Sequence, residues 1–210
     1  MKLIKSKTDQ IRKQYNRIAF FYNSLEAPME WLRFRNWRNR LKTAIAGHRA
    51  LEVGVGTGKN LPYYPMDVDV TAIDFSPRML TYAKKTALNL DIHVNFHLMD
   101  VQHLKFPDNS FDTVFGSFVF CSVPDPVMGL KEIRRVCKPG GRLLLLEHVR
   151  PQNALAGYLF DIMNPFVVRM MGANINRRTI ENINNAGWNI IKDEPLSYSI
   201  VRWIESTPKT

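Results

Sequence analysis

From residue 47 onward, short β-rich runs alternate with helical pieces, and that alternation constrains the fold more than any other feature. The runs "RALEVGV", "VDVTAID", "IHVNFHLM", "FDTVFGSFVF" and "RLLLLEHV" are short and rich in branched and aromatic residues, as strands are. Between them lie helical pieces, notably Pro77 to Leu90 behind the N-cap candidate Ser76, and Pro126 to Cys137 before "KPGG". Strand and helix in alternation predict an α/β fold with a parallel sheet covered on both faces. The tail adds one more helix, then two runs able to pair as a terminal hairpin. At 210 residues the chain is expected to build one sizeable core.

The first 46 residues read differently. Ile11, Tyr15, Ile18, Tyr22 and Leu25 recur at helical spacing, Pro28 interrupts, and a second stripe follows at Trp31, Phe34, Trp37, Leu41 and Ile45. Gly47 ends the helical region. Charge is concentrated here: residues 1–42 hold eleven bases against three acids, eight of the ten net positive charges of the chain. Only this segment therefore needs an anionic partner to explain its basicity. The start lacks the apolar core of a secretory signal. The longest greasy stretch, Ala154 to Gly172, is broken by Asp161, Asn164, Pro165 and Arg169, so no transmembrane segment is expected. Cys121 and Cys137 form no CxxC pair, which suits a reducing cytoplasm and argues against a metal site.

"LEVGVGTGKN" follows the first strand run. A phosphate loop requires a glycine where Val53 stands and a hydroxyl where Asn60 stands, so that reading fails twice. A dinucleotide fingerprint requires its third glycine one residue later than Gly58, which weakens that reading. The third reading is ExGxGxG: Glu52, Gly54, Gly56 and Gly58. It gains weight from the second run, which ends in Asp74, placed to accept both hydroxyls of a ribose. The third run ends in Asp100, placed to accept an adenine amine, beside the backbone N–H of Val101. Singly, Asp74 or Asp100 reads as a helix cap, Met79 as core and Lys59 as a solvated charge; their joint order favours a binding site.

These motifs, with "LKFPDNSFDTVF" and "EIRRVCKPGGRLLLLEH", resemble the class I S-adenosylmethionine (SAM) methyltransferases, in the branch called methyltransferase type 11. The resemblance implies a Rossmann-like, seven-stranded, mostly parallel sheet with a terminal antiparallel hairpin. It implies that residues 1–46 form a basic lid over a SAM-binding core, residues 47–210, with an insert at 150–177. SAM offers a carboxylate, a ribose diol and an adenine but no phosphate, so glycines that let the main chain approach closely suit it, with a helix N-terminus beyond. Phe75 and Met79 can wall the adenine, and by resemblance Ser117 lies near the methionine end. "YNRIAFFYN" resembles the entry segment of quinone and phospholipid methyltransferases, which places Tyr22 over SAM, as a cofactor contact and catalytic candidate, with Tyr15 close by.

"FVFCSVPDP", "LLLLEHVRP" and "GANINRRT" look like bacterial phosphatidylethanolamine N-methyltransferases and related thiol methyltransferases. The resemblance implies a small or lipid-like apolar acceptor, a phospholipid amine first, with a quinone or small-molecule thiol as the alternative. His148, closing the fifth strand run, is the first candidate base and Asp161 the second. The apolar stretch from Leu155 to Met171 is expected to line an acceptor channel. Residues 1–42, basic with interspersed aromatics, suit docking on an anionic membrane surface from the cytoplasmic side. Nucleic acid is disfavoured: the segment after the fourth run, Ser117-Phe118-Val119-Phe120, lacks the [DN]PP[YFW] motif, and Cys121 lacks the preceding proline of carbon-5 methylation. A non-catalytic SAM-binding module is the remaining reading.

Overall fold

The computed structural model describes residues 7–17, 19, 34–197 and 200–209. Ile18, Tyr22, Leu25, Pro28 and Trp31 of the expected N-terminal stripes lie outside the described residues. A helix over residues 7–17 (α1) is followed, within the described residues, by two short helices, α2 (Arg35–Arg38) and α3 (Leu41–Ala44). The core then runs β1 (Arg49–Val53), β2 (Asp69–Asp74), α4 (Pro77–Asn89), β3 (Asn95–Leu98), β4 (Phe111–Ser117), α5 (Pro126–Val136) and β5 (Cys137–His148). After these come α6 (Ala154–Met171), α7 (Thr179–Asn185), β6 (Trp188–Ser197) and β7 (Val201–Pro208).

One seven-stranded sheet is ordered β3-β2-β1-β4-β5-β7-β6. The first five strands pair in parallel, and β7 inserts antiparallel between β5 and β6. The expected parallel sheet and terminal hairpin are thus both present, in the Rossmann-like arrangement. Burial on both faces explains why β5 carries four leucines in a row, Leu143–Leu146. Leu143 and Leu145 pack into the cluster under α5 and α7, while Leu144 and Leu146 join Leu41, Ile45 and Trp203 on the opposite face. All four leucines are at most 1% exposed, so the strand is buried on both sides.

Several strand boundaries depart from the expected runs, β5 and β3 among them. β5 begins at Cys137, inside "KPGG", because Cys137 pairs with Phe111 before an irregularity resets the register at Thr113 and Arg142. β3 keeps only Asn95–Leu98 of its run, since it is an edge strand with just four residues of β2 to pair with. Strand order reverses between β1 and β4, so their carboxyl ends part and leave a crevice, where ligands bind in open α/β sheets.

Candidate active site

That crevice is a cleft built from strand ends. β1 delivers a turn in which Gly54, Gly56 and Gly58 have φ of 67°, 56° and 88°. A β-carbon at Gly54 would lie 2.6 Å from Val119 Cγ2, so the loop after β4 packs directly on bare main chain. At Gly56 the same atom would meet nothing nearer than the Gly54 carbonyl oxygen at 4.0 Å, and Gly56 lines the cleft. Main chain is therefore open to a ligand there. The helix N-terminus expected beyond the glycines does not form. The turn leads instead to a three-residue 3-10 helix, Leu61–Tyr63. Pro65 drives Tyr64 into an extended conformation, with ψ of 134°, and no α-helix can continue.

β2 ends in Asp74, whose Oδ2 accepts from the Gly56 N–H at 2.9 Å and whose Oδ1 accepts from the Ser76 N–H at 2.8 Å. Burial pushes this carboxyl up to about 6 despite those donors. Beyond β3, Asp100 is held by Gln102, whose backbone N–H and side-chain amide donate to it at 2.9 and 3.0 Å. Asp74, Phe75, Met79, Asp100 and Val101 all line the cleft, so a row of apolar groups lies between two carboxylates.

β4 stops at Ser117 because Phe118 turns left-handed, with φ of 58°. Its N–H still donates to the Leu146 carbonyl at 2.8 Å, which anchors the turn to β5. An aromatic residue in that region costs about 1–2 kcal/mol, and such strain collects at ligand sites. Ser117, Phe118 and Val119 all face the cleft. Glu147, fully buried at the end of β5, holds the next turn: its Oε1 accepts from the Val119 N–H at 2.8 Å and the Phe120 N–H at 3.1 Å. Its Oε2 has no hydrogen-bond partner among the described residues, and burial pushes the carboxyl up to about 7.

Helix α1 closes one side. Thr8 and Tyr15 line the cleft, the Tyr15 hydroxyl hydrogen-bonds Ser122 Oγ, and its ring meets Phe75 edge-on with centroids 5.8 Å apart.

Four of the expected residues stand outside this lining. Gly58 shapes the turn beneath it. Glu52 is buried in a network: its carboxylate accepts from the Tyr64 hydroxyl and, at 2.6 Å, from Asn60 Nδ2, while Asn60 Oδ1 accepts from Arg38 at 2.6 Å. Asn60 also reaches Ser117 Oγ at 3.1 Å, so Glu52 is linked to the cleft through these two side chains. Burial pushes Glu52 up to about 7, against the pull of Tyr64, Asn60 and Arg38. The His148 ring tilts over Phe118 at 4.9 Å, behind a residue that does line the cleft, and burial lowers its pKa. Asp161 pairs with Arg150 at 2.8 Å and accepts from Asn176 at 2.9 Å; the Arg150 guanidinium brings it down to about 2. Tyr22 lies outside the described residues.

The expected acceptor channel of residues 155–171 is a correction. Among the described side chains none of these lines the cleft, and Leu155, Leu159, Ile162, Met163, Phe166 and Met170 face solvent. Polar contacts fix the other side, which also carries Phe160, Val167 and Val168: Asp161 meets Arg150, and Asn164 accepts from the Ile175 N–H at 2.9 Å.

Several side chains at the site escaped the sequence reading: Arg38, Asn60, Tyr64, Gln102, Phe118 and Ser122. Asn60, Phe118 and Ser122 fall inside quoted motifs, but the partners of all six are set by the fold and not by local pattern. Among the described residues, no group of three His, Cys, Asp or Glu side chains is placed to hold a metal ion. Burial pushes the Cys121 thiol up to about 12, so it offers no thiolate at neutral pH.

An open α/β sheet with its cleft at the reversal of strand order defines the Rossmann-like class. Within it, residues 51–145 match the model of a methyltransferase domain, type 11. The chain is 37% identical over 151 residues to a phosphatidylethanolamine N-methyltransferase of Cereibacter sphaeroides, covering 70% of this chain and 73% of that one. It is 32% identical over 176 residues to a demethylmenaquinone methyltransferase of Deinococcus radiodurans, covering 81% and 73%. The fold matches a solved SAM-dependent methyltransferase of Thermotoga maritima with a TM-score of 0.71 at 20% identity, covering 94% of this chain and 99% of that one. The chain belongs to the SAM-dependent methyltransferases: it is a methyl-transferring enzyme, and SAM is its cofactor.

Proposed function

We propose that this enzyme methylates the amine of an ethanolamine phospholipid at a membrane surface, with SAM held in the cleft at the ends of β1, β2 and β3. The observation that carries the cofactor site is the bare main chain at Gly56 beside the buried Asp74 carboxylate. Asp74 accepts the Gly56 and Ser76 N–H groups and keeps acceptor capacity for a ribose hydroxyl. Asp100 and the Val101 N–H read the adenine edge, with Phe75 and Met79 as its apolar walls. Gly54, Gly58 and Ser117 shape the methionine end. Glu52 acts through Asn60, which it orients toward Ser117.

SAM supplies a methyl group already activated on a sulfonium, so the protein's task is placement and water exclusion. Residues 1–46 serve as the lid over the core of residues 47–210, with Tyr15 and Tyr22 closing the cofactor side. An ethanolamine amine arrives protonated at neutral pH and must lose that proton before it attacks. His148 is the base we assign: burial keeps it neutral, and because Phe118 stands between it and the cleft, a water must carry the amine proton to it. The acceptor reading is supported by the relative at 37% identity and by the apolar side chains that dominate the cleft wall. The basic segment of residues 1–42 docks the enzyme on an anionic leaflet from the cytoplasmic side. No helix among the described residues is long and apolar enough to cross a membrane.

A second reading is methylation of a quinone ring carbon, favoured by the relative that matches over 81% of this chain. Labelled SAM offered with detergent-dispersed phosphatidylethanolamine, demethylmenaquinone and small thiols separates the two. Label in mono- and dimethylated phosphatidylethanolamine is the expected result; label in the quinone alone overturns the amine reading.

A further inference from the structure

Helix α6 presents a broad apolar face to solvent, while Asp161 and Asn164, beside the half-buried Phe160, Val167 and Val168, tie its other side to the protein. Leu155, Leu159, Ile162, Met163, Phe166 and Met170 are between 51% and 70% exposed, although side chains of this kind are normally buried. Their spacing of three and four places them along one face. The opposite face is committed by specific contacts. Asp161 pairs with Arg150, Asn164 donates to Asn174 at 3.2 Å, and Gly157 sits where a β-carbon would collide with Arg150 at 2.4 Å. Rotating the helix to bury its apolar side would break every one of these, so its orientation is fixed by the fold.

We infer that this face of α6 is a membrane-docking surface that lies in the interfacial layer of an anionic bilayer. Charge selects a bilayer over a second copy of the chain. The protein carries a net charge of +10, which opposes self-association and favours an anionic leaflet. The only acid on the helix, Asp161, lies off this face and is paired with Arg150. Helix α1 abuts the C-terminal end of α6: Gln14 donates to the Arg169 carbonyl at 3.3 Å, and Lys7, Arg12, Lys13 and Arg17 of α1 are exposed. An apolar helix face bordered by cations is what interfacial binding requires, and α6 does not qualify as a span.

The placement also bears on how an acceptor reaches the cleft. The segment after α6 is tied to the loop that lines the cleft, through the Asn174 N–H to the Cys121 carbonyl at 2.8 Å and Arg177 to the Val123 carbonyl at 2.5 Å. Docking α6 therefore holds that rim at a fixed distance from the lipid. This extends the membrane reading above to a second surface and rests on it for the choice of an anionic leaflet.

The test is co-sedimentation of the full chain with vesicles of phosphatidylglycerol mixed with phosphatidylethanolamine. A variant carrying Ile162→Glu and Phe166→Glu is expected to bind at least about tenfold more weakly. Both positions are exposed and outside the cleft, so its melting temperature and its affinity for S-adenosylhomocysteine are expected to match the unaltered protein. A Lys13→Glu, Arg17→Glu variant is expected to weaken binding mainly at low salt, while the α6 variant stays weak at every salt concentration. Unchanged vesicle binding by the α6 variant overturns the proposal. A stable dimer of the unaltered chain that the α6 substitutions dissociate, with no vesicle binding by either form, assigns the face to a second copy and also overturns it. Methyl transfer to detergent-dispersed phosphatidylethanolamine needs no bilayer, so failure of the acceptor reading shows there and not in sedimentation.

Discussion

The Tyr15 hydroxyl is hydrogen-bonded to Ser122 Oγ, a contact between α1 and the loop after β4 that spans 107 residues of chain. It is one of several ties that draw α1 across the cleft. Ser76 Oγ donates to Asn16 Oδ1 at 2.7 Å, and Gln102 Nε2 donates to Thr8 Oγ1 at 3.3 Å. Residues that cap α4 and hold Asp100 thus also hold α1. Removing the Tyr15 hydroxyl deletes one neutral hydrogen bond, worth about 1 kcal/mol. Tyr15→Phe is therefore expected to bind S-adenosylhomocysteine about fivefold more weakly in calorimetry, with little change in melting temperature. Faster proteolysis within residues 7–17 in the variant checks that α1 has loosened.

Asp74 supplies a prediction in which pH matters. Its buried carboxyl titrates at about 6 in the free protein. Two ribose hydroxyls donate best to the ionised form, so cofactor affinity is expected to fall as pH drops through about 6. Asp74→Asn removes the charge and one acceptor, and its affinity is expected to drop by roughly ten- to a hundredfold, the range for a hydrogen bond to a charged group. The residual affinity of the variant is expected to be flat across that pH range. Calorimetric titrations at several pH values distinguish this from a structural loss, which would leave the pH dependence in place.

The strand-end acids were legible because strands are local. "TAIDFS" and "HLMDV" each close a β-rich run, and a parallel sheet brings such ends to one edge, where Asp74 and Asp100 both line the cleft. The contacts that no local pattern encodes were not legible. Arg38 and Asn60 are 22 residues apart and carry no shared motif, yet they are joined within the buried network around Glu52. The glycine turn predicts a helix behind it, and Pro65, which holds Tyr64 extended, overrides that pattern. Helix α6 was recognised as apolar, but apolarity does not say which way a helix faces. Its direction was set by Asp161 and Asn164, whose partners lie 11 and 10 residues away on its two flanks.

Gly54 and Gly56 are expected to respond differently to alanine although both have positive φ. At either position alanine carries a backbone penalty of about 1–2 kcal/mol. At Gly54 the new methyl also lies 2.6 Å from Val119 Cγ2, so the loop after β4 must shift, and a larger loss is expected. At Gly56 the methyl enters open space in the cleft, where it displaces ligand instead of protein. Gly56→Ala is thus expected to melt closer to the unaltered protein yet lose most of its cofactor affinity. Thermal melts with and without S-adenosylhomocysteine read both effects: the ligand-induced rise should nearly vanish in Gly56→Ala.

Glu147 sets the last prediction, which concerns stability. Its carboxyl is fully buried, with Oε1 occupied by the Val119 and Phe120 N–H groups and Oε2 unpartnered among the described residues. Burial raises it from an ordinary 4.5 to about 7, so between those values the folded chain holds a proton that the unfolded chain has released. Unfolding free energy must then fall as pH rises through that window, by up to about 1.4 kcal/mol per pH unit for this group. Glu52 adds a slope of the same sign over the same window. Glutamine at position 147 keeps an acceptor for both backbone donors and cannot ionise. Glu147→Gln is accordingly expected to match the unaltered protein near pH 5 and to exceed it near pH 8 by several degrees in melting temperature. A difference that stays constant across that pH range would show that Glu147 is not the group being ionised.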